Sequence, residues 1–434
     1  MARPPRRRIL VASLLTGCPT SAAGAEQEPA TDDDGVEIAP EVAGEPAAKR
    51  TRSRRALDGF PEEILVWEIF VRLPAMEILR CRAVCRSWRG LASGPDFLLA
   101  HHRCQPPLPL VTVSKRTEAG LPVLDRGRSR SVLGFDDYFT FKLHASCDGL
   151  LVLSRSDGRF NICNPATRQC APLPGLTAAG RDINIVALYL HGPSGEYRVL
   201  YWIGKHFNGR YHVKETHYYI LTVEWRGWPR CIGVPSDILE MKKAMLAGDQ
   251  MKRINLAPPV VFRSCLHWAP GWLPYDGVVV FNTLVESFRT MSLPADASSF
   301  CTRLCDMEGS IGFSCFDDMM GAVRIWVLEN YEREVWSFKY HVKFQVERLF
   351  HLHQNMLHII LSHKGDVLVY SKSGSYMCHC DNTGKLLEEF QWEPESHGLD
   401  IIGHMFKESL VKHDFFSRRG AAWGVGQPDY FERL

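Results

Sequence analysis

The sequence predicts a multidomain α+β protein in which a short all-α module precedes an all-β domain, and it favours an irregular β-propeller for the β domain. Three observations lead to this prediction. Residues 1–55 contain no aromatic residue, residues 57–98 hold three short helical patterns, and strand-like runs dominate from about residue 107 onwards. We therefore divide the 434-residue chain into a tail (1–55), a helical module (56–104) and a β domain (105–434).

The tail is predicted to be disordered, because a segment so poor in large apolar side chains buries too little surface to order itself. It ends in a basic cluster that suits a nuclear localisation signal or a nucleic-acid patch, and equally a solvated charged linker. The cluster consists of Lys49, Arg50, Arg52, Arg54 and Arg55. The net charge of the whole chain is only +2, so we expect neither a nucleic-acid nor a membrane partner. We expect a protein of the nucleus, the cytoplasm or both.

The helical module begins where Pro61 can take the first helical position, at which its missing N–H costs nothing. Residues 64–71 are apolar on nearly every face, and a helix of that kind must be covered on most sides. Pro74 ends this helix, and two further short helical patterns follow. About forty residues bury too little surface for a stable core of their own. The module must therefore pack on its own β domain or on another protein.

An ordered set of residues in this module resembles the F-box of plant-type F-box proteins. The matching residues are Leu57, Pro61, Ile64, Leu65, Leu73, Pro74, Leu79, Arg80, Val84, Cys85, Ser87, Trp88, Asp96 and Phe97. The segment between the two prolines is one residue longer than in the commonest form, with Trp67 as the apparent extra residue. This insertion bears on the register of the first helix.

The resemblance implies that the module binds the Skp-type adaptor of SCF (Skp adaptor–cullin–F-box) ubiquitin ligases, and cullin through that adaptor. It also implies which residues contact the adaptor or support those contacts. They are Pro61, Ile64, Leu65, Leu73, Pro74, Leu79, Val84 and Trp88.

A weak internal repeat runs through the β domain. Four segments each hold an apolar strand, an Asn or Asp, a short polar turn and a second strand; they cover residues 159–174, 278–294, 325–340 and 375–390. A degenerate member covers residues 218–235, and each of the four segments follows another strand. A period of roughly fifty residues suits four-stranded propeller blades, so we expect five to seven of them. The alternative is a β-sandwich or an irregular β domain without a closed ring.

Three short motifs of the β domain resemble the F-box-associated, kelch-like domains of plant F-box proteins. They are SCDGLL (146–151), CNPATR (163–168) and HMFKESLV (404–411). The Gly-Gly pair of a strict kelch blade is missing. The resemblance implies a β domain that binds a target protein.

No motif predicts catalysis. The chain has no phosphate-binding Gly-rich loop, nucleophile elbow or HExxH sequence, and its 14 cysteines form no Cys-x-x-Cys pair. His351 and His353 could place two imidazoles on one strand face, but no further ligands follow at a recognisable zinc spacing. We therefore assign no catalytic residue, no metal site and no cofactor. No run of about twenty apolar residues predicts a membrane span.

Together, the two resemblances and the lack of a catalytic motif imply a non-catalytic substrate receptor of a ubiquitin ligase, with an unknown protein target. Five aromatic residues in long Gly/Pro-rich connections are candidate anchors for that target, or alternatively packing between blades. They are Trp225, Trp228, Trp268, Trp272 and Tyr275. Two alternatives stay open: a propeller enzyme or ligand-binding protein with a helical cap, and an F-box protein that acts outside a ligase.

Overall fold

The structure of the protein is a computed structural model. The structure describes residues 64–114, 119–125, 128–135, 141–155, 158–173, 175–176, 182–204, 206–207, 210–211, 217–223, 229–233, 258–269, 277–297, 302–307, 309–317, 322–343, 357–361, 367–371, 376–383, 385–391 and 398–420. The tail, its basic cluster and Pro61 lie outside the described residues.

The helical module consists of two irregular turns followed by three short helices. A π-helical turn (Leu65–Ile69) leads into a 3-10 turn (Phe70–Arg72). The helices are α1 (Ala75–Val84), α2 (Arg86–Leu91) and α3 (Pro95–Cys104), and α4 (Asp414–Gly420) follows the β domain. Pro74 precedes α1, in agreement with the predicted break, and Pro95 opens α3.

The described part of the β domain contains six four-stranded antiparallel sheets. Sheet 1 holds β1 (Leu108–Ser114), β2 (Ala119–Asp125), β3 (Arg128–Phe135) and β26 (Gly398–Phe406). Sheet 2 holds β4 (Phe141–Cys147), β5 (Leu150–Arg155), β6 (Phe160–Asn164) and β7 (Gln169–Pro172). Sheet 3 holds β8 (Asp182–His191), β9 (Glu196–Gly204), β12 (His217–Thr222) and β13 (Arg230–Gly233), with a small hairpin of β10 (His206–Phe207) and β11 (Arg210–Tyr211) between them in the chain.

The remaining three sheets follow in the same way. Sheet 4 holds β14 (Val260–Phe262), β15 (Cys265–Trp268), β16 (Gly277–Asn282) and β17 (Ser287–Ser292). Sheet 5 holds β18 (Thr302–Asp306), β19 (Ile311–Asp317), β20 (Ala322–Asn330) and β21 (Val335–Lys343). Sheet 6 holds β22 (Leu357–Leu361), β23 (Val367–Ser371), β24 (Tyr376–Cys380) and β25 (Leu386–Gln391).

The order of the strands is that of propeller blades. Within each of sheets 2 to 6 the strands pair in chain order, whereas sheet 1 has the order β26-β1-β2-β3 and so joins the two ends of the domain. The inner strands of neighbouring sheets contact each other, β26 with β4, β4 with β8, β14 with β18 and β18 with β22. Six sheets lie within the predicted range of five to seven blades, and the predicted β-propeller class is confirmed.

The predicted repeat corresponds to the outer hairpins of the sheets. Its four segments become β6–β7, β16–β17, β20–β21 and β24–β25, and the degenerate member becomes β12–β13. The Asn or Asp of the repeat lies at the hairpin turn, where Asn164 Oδ1 accepts from the backbone N–H of Ala166 and Asn282 Oδ1 from that of Leu284. Such side-chain caps explain why this residue type recurs.

The apolar core lies between successive sheets. One buried cluster joins sheets 1 and 2, a second joins sheets 2 and 3, a third joins sheets 3 and 4, and a fourth joins sheets 4 and 5. Strands in the middle of a sheet are therefore buried on both faces, as in Val278–Phe281 of β16. This explains why they read as continuous apolar runs.

One face of the domain carries the short turns between first and second and between third and fourth strands; we call it the turn face. Contacts between sheets place these turns together, because Tyr197 Oη donates to Asp148 Oδ2 and Arg263 forms an ion pair with Glu332. The start of β1 and the end of β26 lie on the same face, where Leu108 pairs with Phe406. The helical module precedes β1 and is therefore attached at the turn face.

Candidate functional site: the helical module and its junction with the β domain

The helical module exposes an apolar surface. Of the fifteen large apolar residues that are exposed among the described residues, eight lie between residues 64 and 99. We call them the apolar surface: Ile64, Trp67, Ile69, Met76, Leu79, Val84, Leu91 and Leu99. Val84 is 65% exposed and Ile64 is 45% exposed. An apolar concentration of this kind on a small module is typical of a protein–protein interface.

The predicted adaptor residues divide by their exposure. Ile64, Leu79 and Val84 belong to the apolar surface, and Pro74 is exposed beside it. Leu65 is buried in the core of the module, so it can act only as support from behind. Leu73 and Trp88 are half-buried, and the Trp88 ring meets Phe70 edge-on at 4.9 Å between centroids.

The additional residue of the first helix coincides with the π-helical turn. The backbone N–H of Phe70 donates to the carbonyl of Leu65, five residues earlier, as well as to that of Val66. A π turn holds one more residue than an α turn, and such turns are frequent at functional sites. It leaves Trp67 exposed, with its ring 6.3 Å from that of Phe97. The predicted insertion is therefore accommodated as a local bulge within the apolar surface.

Helix α1, which carries much of the apolar surface, is capped from the far end of the chain. The preceding Pro74 makes no side-chain cap. Instead Oε2 of Glu408, on the segment after β26, accepts a hydrogen bond of 2.7 Å from the backbone N–H of Ala75. Glu408 is 6% exposed. A buried carboxylate at a helix N-terminus satisfies an orphan donor and interacts favourably with the helix dipole.

Residues 407–411, which we call the junction segment, make further contacts with the module. Leu410 is buried in the same apolar cluster as Phe70 and Ile78. His102 of α3 donates through Nδ1 to the carbonyl of Glu408 at 2.9 Å, and Lys407 Nζ donates to the carbonyl of Arg103 at 3.0 Å. The segment thus contacts both α1 and α3.

The predicted motifs of sheet 2 hold the junction segment from the other side. Gly149 has a φ of +83°, and the carbonyl oxygen of Lys407 lies only 2.7 Å from where a Cβ would be. Asn164 Nδ2 donates to the carbonyl of Ser409 at 3.0 Å. The motifs SCDGLL and CNPATR therefore hold the junction segment, which in turn contacts the helical module.

Asp148 of the same motif links three parts of the chain. Its carboxylate accepts from Tyr197 Oη at 3.2 Å and lies 3.4 Å from His102 Nε2. Burial alone would raise the pKa of Asp148, but hydrogen bonds from His102, Tyr197 and Cys147 outweigh it and lower the pKa. Asp148 therefore stays ionised and anchors α3 to the β domain.

The turn before α1 is fixed by two buried side chains. His101 Nε2 donates to the carbonyl of Leu73 at 2.8 Å, and Gln105 Nε2 donates to the same oxygen at 3.1 Å. Burial lowers the pKa of His101, which keeps its ring neutral. The backbone carbonyl of the predicted adaptor residue Leu73 is thereby fixed by two side-chain hydrogen bonds.

Of the five predicted target anchors, the structure describes only Trp268. Trp268 is 8% exposed and packs in the cluster between sheets 3 and 4, beside Leu266 and Val279. It fills the space between blades and is not available as an exposed anchor, so the alternative interpretation holds for this residue. Trp225, Trp228, Trp272 and Tyr275 lie outside the described residues.

Within the part of the chain that the structure describes, no three His, Cys, Asp or Glu side chains come together as a metal site. No described helix has the length and apolar character needed to cross a bilayer.

Comparison with known families agrees with this geometry. Residues 57–105 match the F-box-like family, and residues 273–393 match the family described as F-box associated beta propeller domain. The chain has the two domains of a plant-type F-box protein. The F-box match coincides with the apolar surface, and the second match covers most of sheets 4, 5 and 6.

Relatives from Arabidopsis thaliana support this assignment. F-box protein At5g49610 is 23% identical over 72% of this chain and 88% of its own length. F-box protein CPR1 is 24% identical over 63% of this chain and 70% of its own length. F-box/kelch-repeat protein At2g43270 is 27% identical over 40% of this chain and 88% of its own length.

Proposed function

We propose that this protein is the substrate-recognition subunit of an SCF-type ubiquitin ligase. The observation that carries the proposal is the apolar surface of residues 64–99, which lies within the segment that matches the F-box family. An F-box implies a Skp-type adaptor as the partner for that surface. The adaptor connects the chain to cullin, and the β domain binds a target protein.

In this role the chain itself performs no chemistry. It raises the effective concentration of a target lysine near a ubiquitin-charged enzyme, and orientation decides which lysines are reached. The contacts of Glu408, His102 and Asp148 between module and β domain support this mechanism, because they hold the two parts in a fixed relation.

The test is adaptor binding by an Ile64→Asp/Leu79→Asp double variant of the full chain. Both side chains are exposed, so the charges enter the binding surface without entering the core. We expect the affinity for a purified Skp-type adaptor to fall about 100-fold or more, since two apolar contacts are lost and two charges enter the interface. Calorimetry or biolayer interferometry measures the Kd.

The matched control is Leu284→Asp/Val285→Asp, which places two charges on an exposed apolar pair of the β domain. This control should bind the adaptor like the wild type. Equal loss in both double variants would mean that the effect is not specific to the F-box surface. Failure of the folded wild-type chain to bind any Skp-type adaptor would reject the ligase proposal.

We extend the proposal to the nucleus and cytoplasm as the sites of action, on the basis of the basic cluster at residues 49–55. A fluorescent fusion in which the five basic residues of this cluster are changed to alanine should lose nuclear enrichment. Unchanged nuclear enrichment would leave the cluster as a solvated linker.

A further inference from the structure

The F-box of this chain is contacted by a segment more than 300 residues away. Helix α1 begins at Ala75 after a proline that makes no side-chain cap, and the carboxylate of Glu408 accepts the Ala75 N–H. The first N–H groups of a helix have no partner within the helix, and a buried one needs a partner from elsewhere. Glu408 supplies that partner as a charged acceptor, which is the stronger kind.

The apolar core of the module is also completed by this segment. Leu410 is 2% exposed and belongs to the cluster formed by the residues of the module, and Val411 packs on it. Removing Leu410 would open a cavity in this cluster, to which the fully buried Ile78 of α1 also belongs. The small size of the helical module makes such a contribution important.

The position of the junction segment is set by the closure of the β domain. The segment follows directly on β26, which pairs with β1 in sheet 1. On its other side it is held by Asn164 and by the close approach of Gly149. Glu408 therefore contacts α1 from a segment that is held by β26 on one side and by sheet 2 on the other.

From these contacts we infer that the adaptor-binding module is discontinuous: it comprises the F-box and residues 407–411, with Glu408 as the positioning residue that holds α1 in its binding conformation. Helix α1 carries Met76, Leu79 and Val84 of the apolar surface, so its placement controls that surface. The inference rests on the proposed adaptor binding and adds a residue outside the F-box to it.

The experiment compares Glu408→Ala, Glu408→Gln and Lys412→Ala in the full chain. Lys412 is exposed just beyond the junction segment, so its variant is the matched control. We expect Glu408→Ala to weaken adaptor binding about tenfold, because a buried charge-assisted hydrogen bond is lost. Glu408→Gln keeps a neutral acceptor and should lie between Glu408→Ala and the wild type. Lys412→Ala should leave the affinity unchanged.

Hydrogen exchange gives the readout that a general loss of stability would not reproduce. The peptide covering the start of α1, residues 74–84, should exchange faster in Glu408→Ala. A peptide from sheet 4, residues 277–292, should exchange as in the wild type. Faster exchange in both peptides would show a global effect and overturn the positioning role.

The outcomes separate this inference from the proposed function. If the wild type binds the adaptor and Glu408→Ala binds equally well, the inference is wrong and the ligase proposal stands. If the wild type does not bind the adaptor, the proposed function fails, and the inference fails with it.

Discussion

Replacing Gly149 by alanine is expected to destabilise the protein by about 3 kcal/mol and to loosen the F-box from the β domain. Gly149 has a φ of +83°, and an added Cβ would lie 2.7 Å from both the carbonyl oxygen of Lys407 and the Cβ of Ser409. These atoms belong to the junction segment, which is fixed by Glu408 and Asn164 and cannot move aside easily. Urea denaturation measures the loss, and exchange of residues 74–84 reports on the F-box.

Gly158→Ala is the control for this variant. Gly158 lies in the same sheet region with a φ of +77°, but nothing lies within 4 Å of where its Cβ would be. Gly158→Ala should lower the free energy of unfolding by only about 1 kcal/mol, because an L-residue is strained in a left-handed backbone conformation. If Gly149→Ala costs no more than Gly158→Ala, the close contact between sheet 2 and the junction segment is not important for stability.

Much of the β domain could be predicted because its repeat is local. Each outer hairpin consists of two neighbouring strands and an Asn- or Asp-containing turn, as in β6–β7 and β16–β17. Local patterns did not predict that the four strands of sheet 1 form one sheet. Its pairing of β26 with β1 joins residues 284 to 298 positions apart, such as Val111 with Ile401, and no local pattern carries that information.

The sequence predicted the segment that forms the candidate site, but not which of its side chains are exposed. The sequence marks residues 64–71 as apolar, but an all-round apolar segment does not show which side chains face outwards. In the structure Leu65 and Val66 turn inwards, whereas Ile64 and Trp67 remain exposed. Glu408 was part of a recognised motif, yet its role depends on Ala75, which only the closed fold brings within reach.

The native structure is expected to lose stability as the pH falls from about 6.5 to about 4, because several buried histidines are held neutral. Burial lowers the pKa of His267 to about 4 and that of His404 to about 4. His144 and His413 are shifted in the same direction by the same cause. Neutral His267 forms hydrogen bonds with the carbonyl of Val260 and the hydroxyl of Tyr331. The positive charge of nearby Arg289 opposes protonation of the His267 ring.

Acid lowers the free energy of unfolding because the unfolded chain binds these protons at a higher pH than the folded chain. In the unfolded chain these rings bind protons below about pH 6.5, whereas in the folded chain they do so only near pH 4, and near pH 3 for His144, so acid favours the unfolded state. At pH 5.5 each of His267 and His404 should lower the free energy of unfolding by about 1 kcal/mol relative to pH 7.5. Urea midpoints at the two pH values measure this loss.

In His267→Gln, which cannot titrate, the difference in unfolding free energy between the two pH values should shrink by about 1 kcal/mol. An undiminished difference would mean that His267 is not held neutral by the fold.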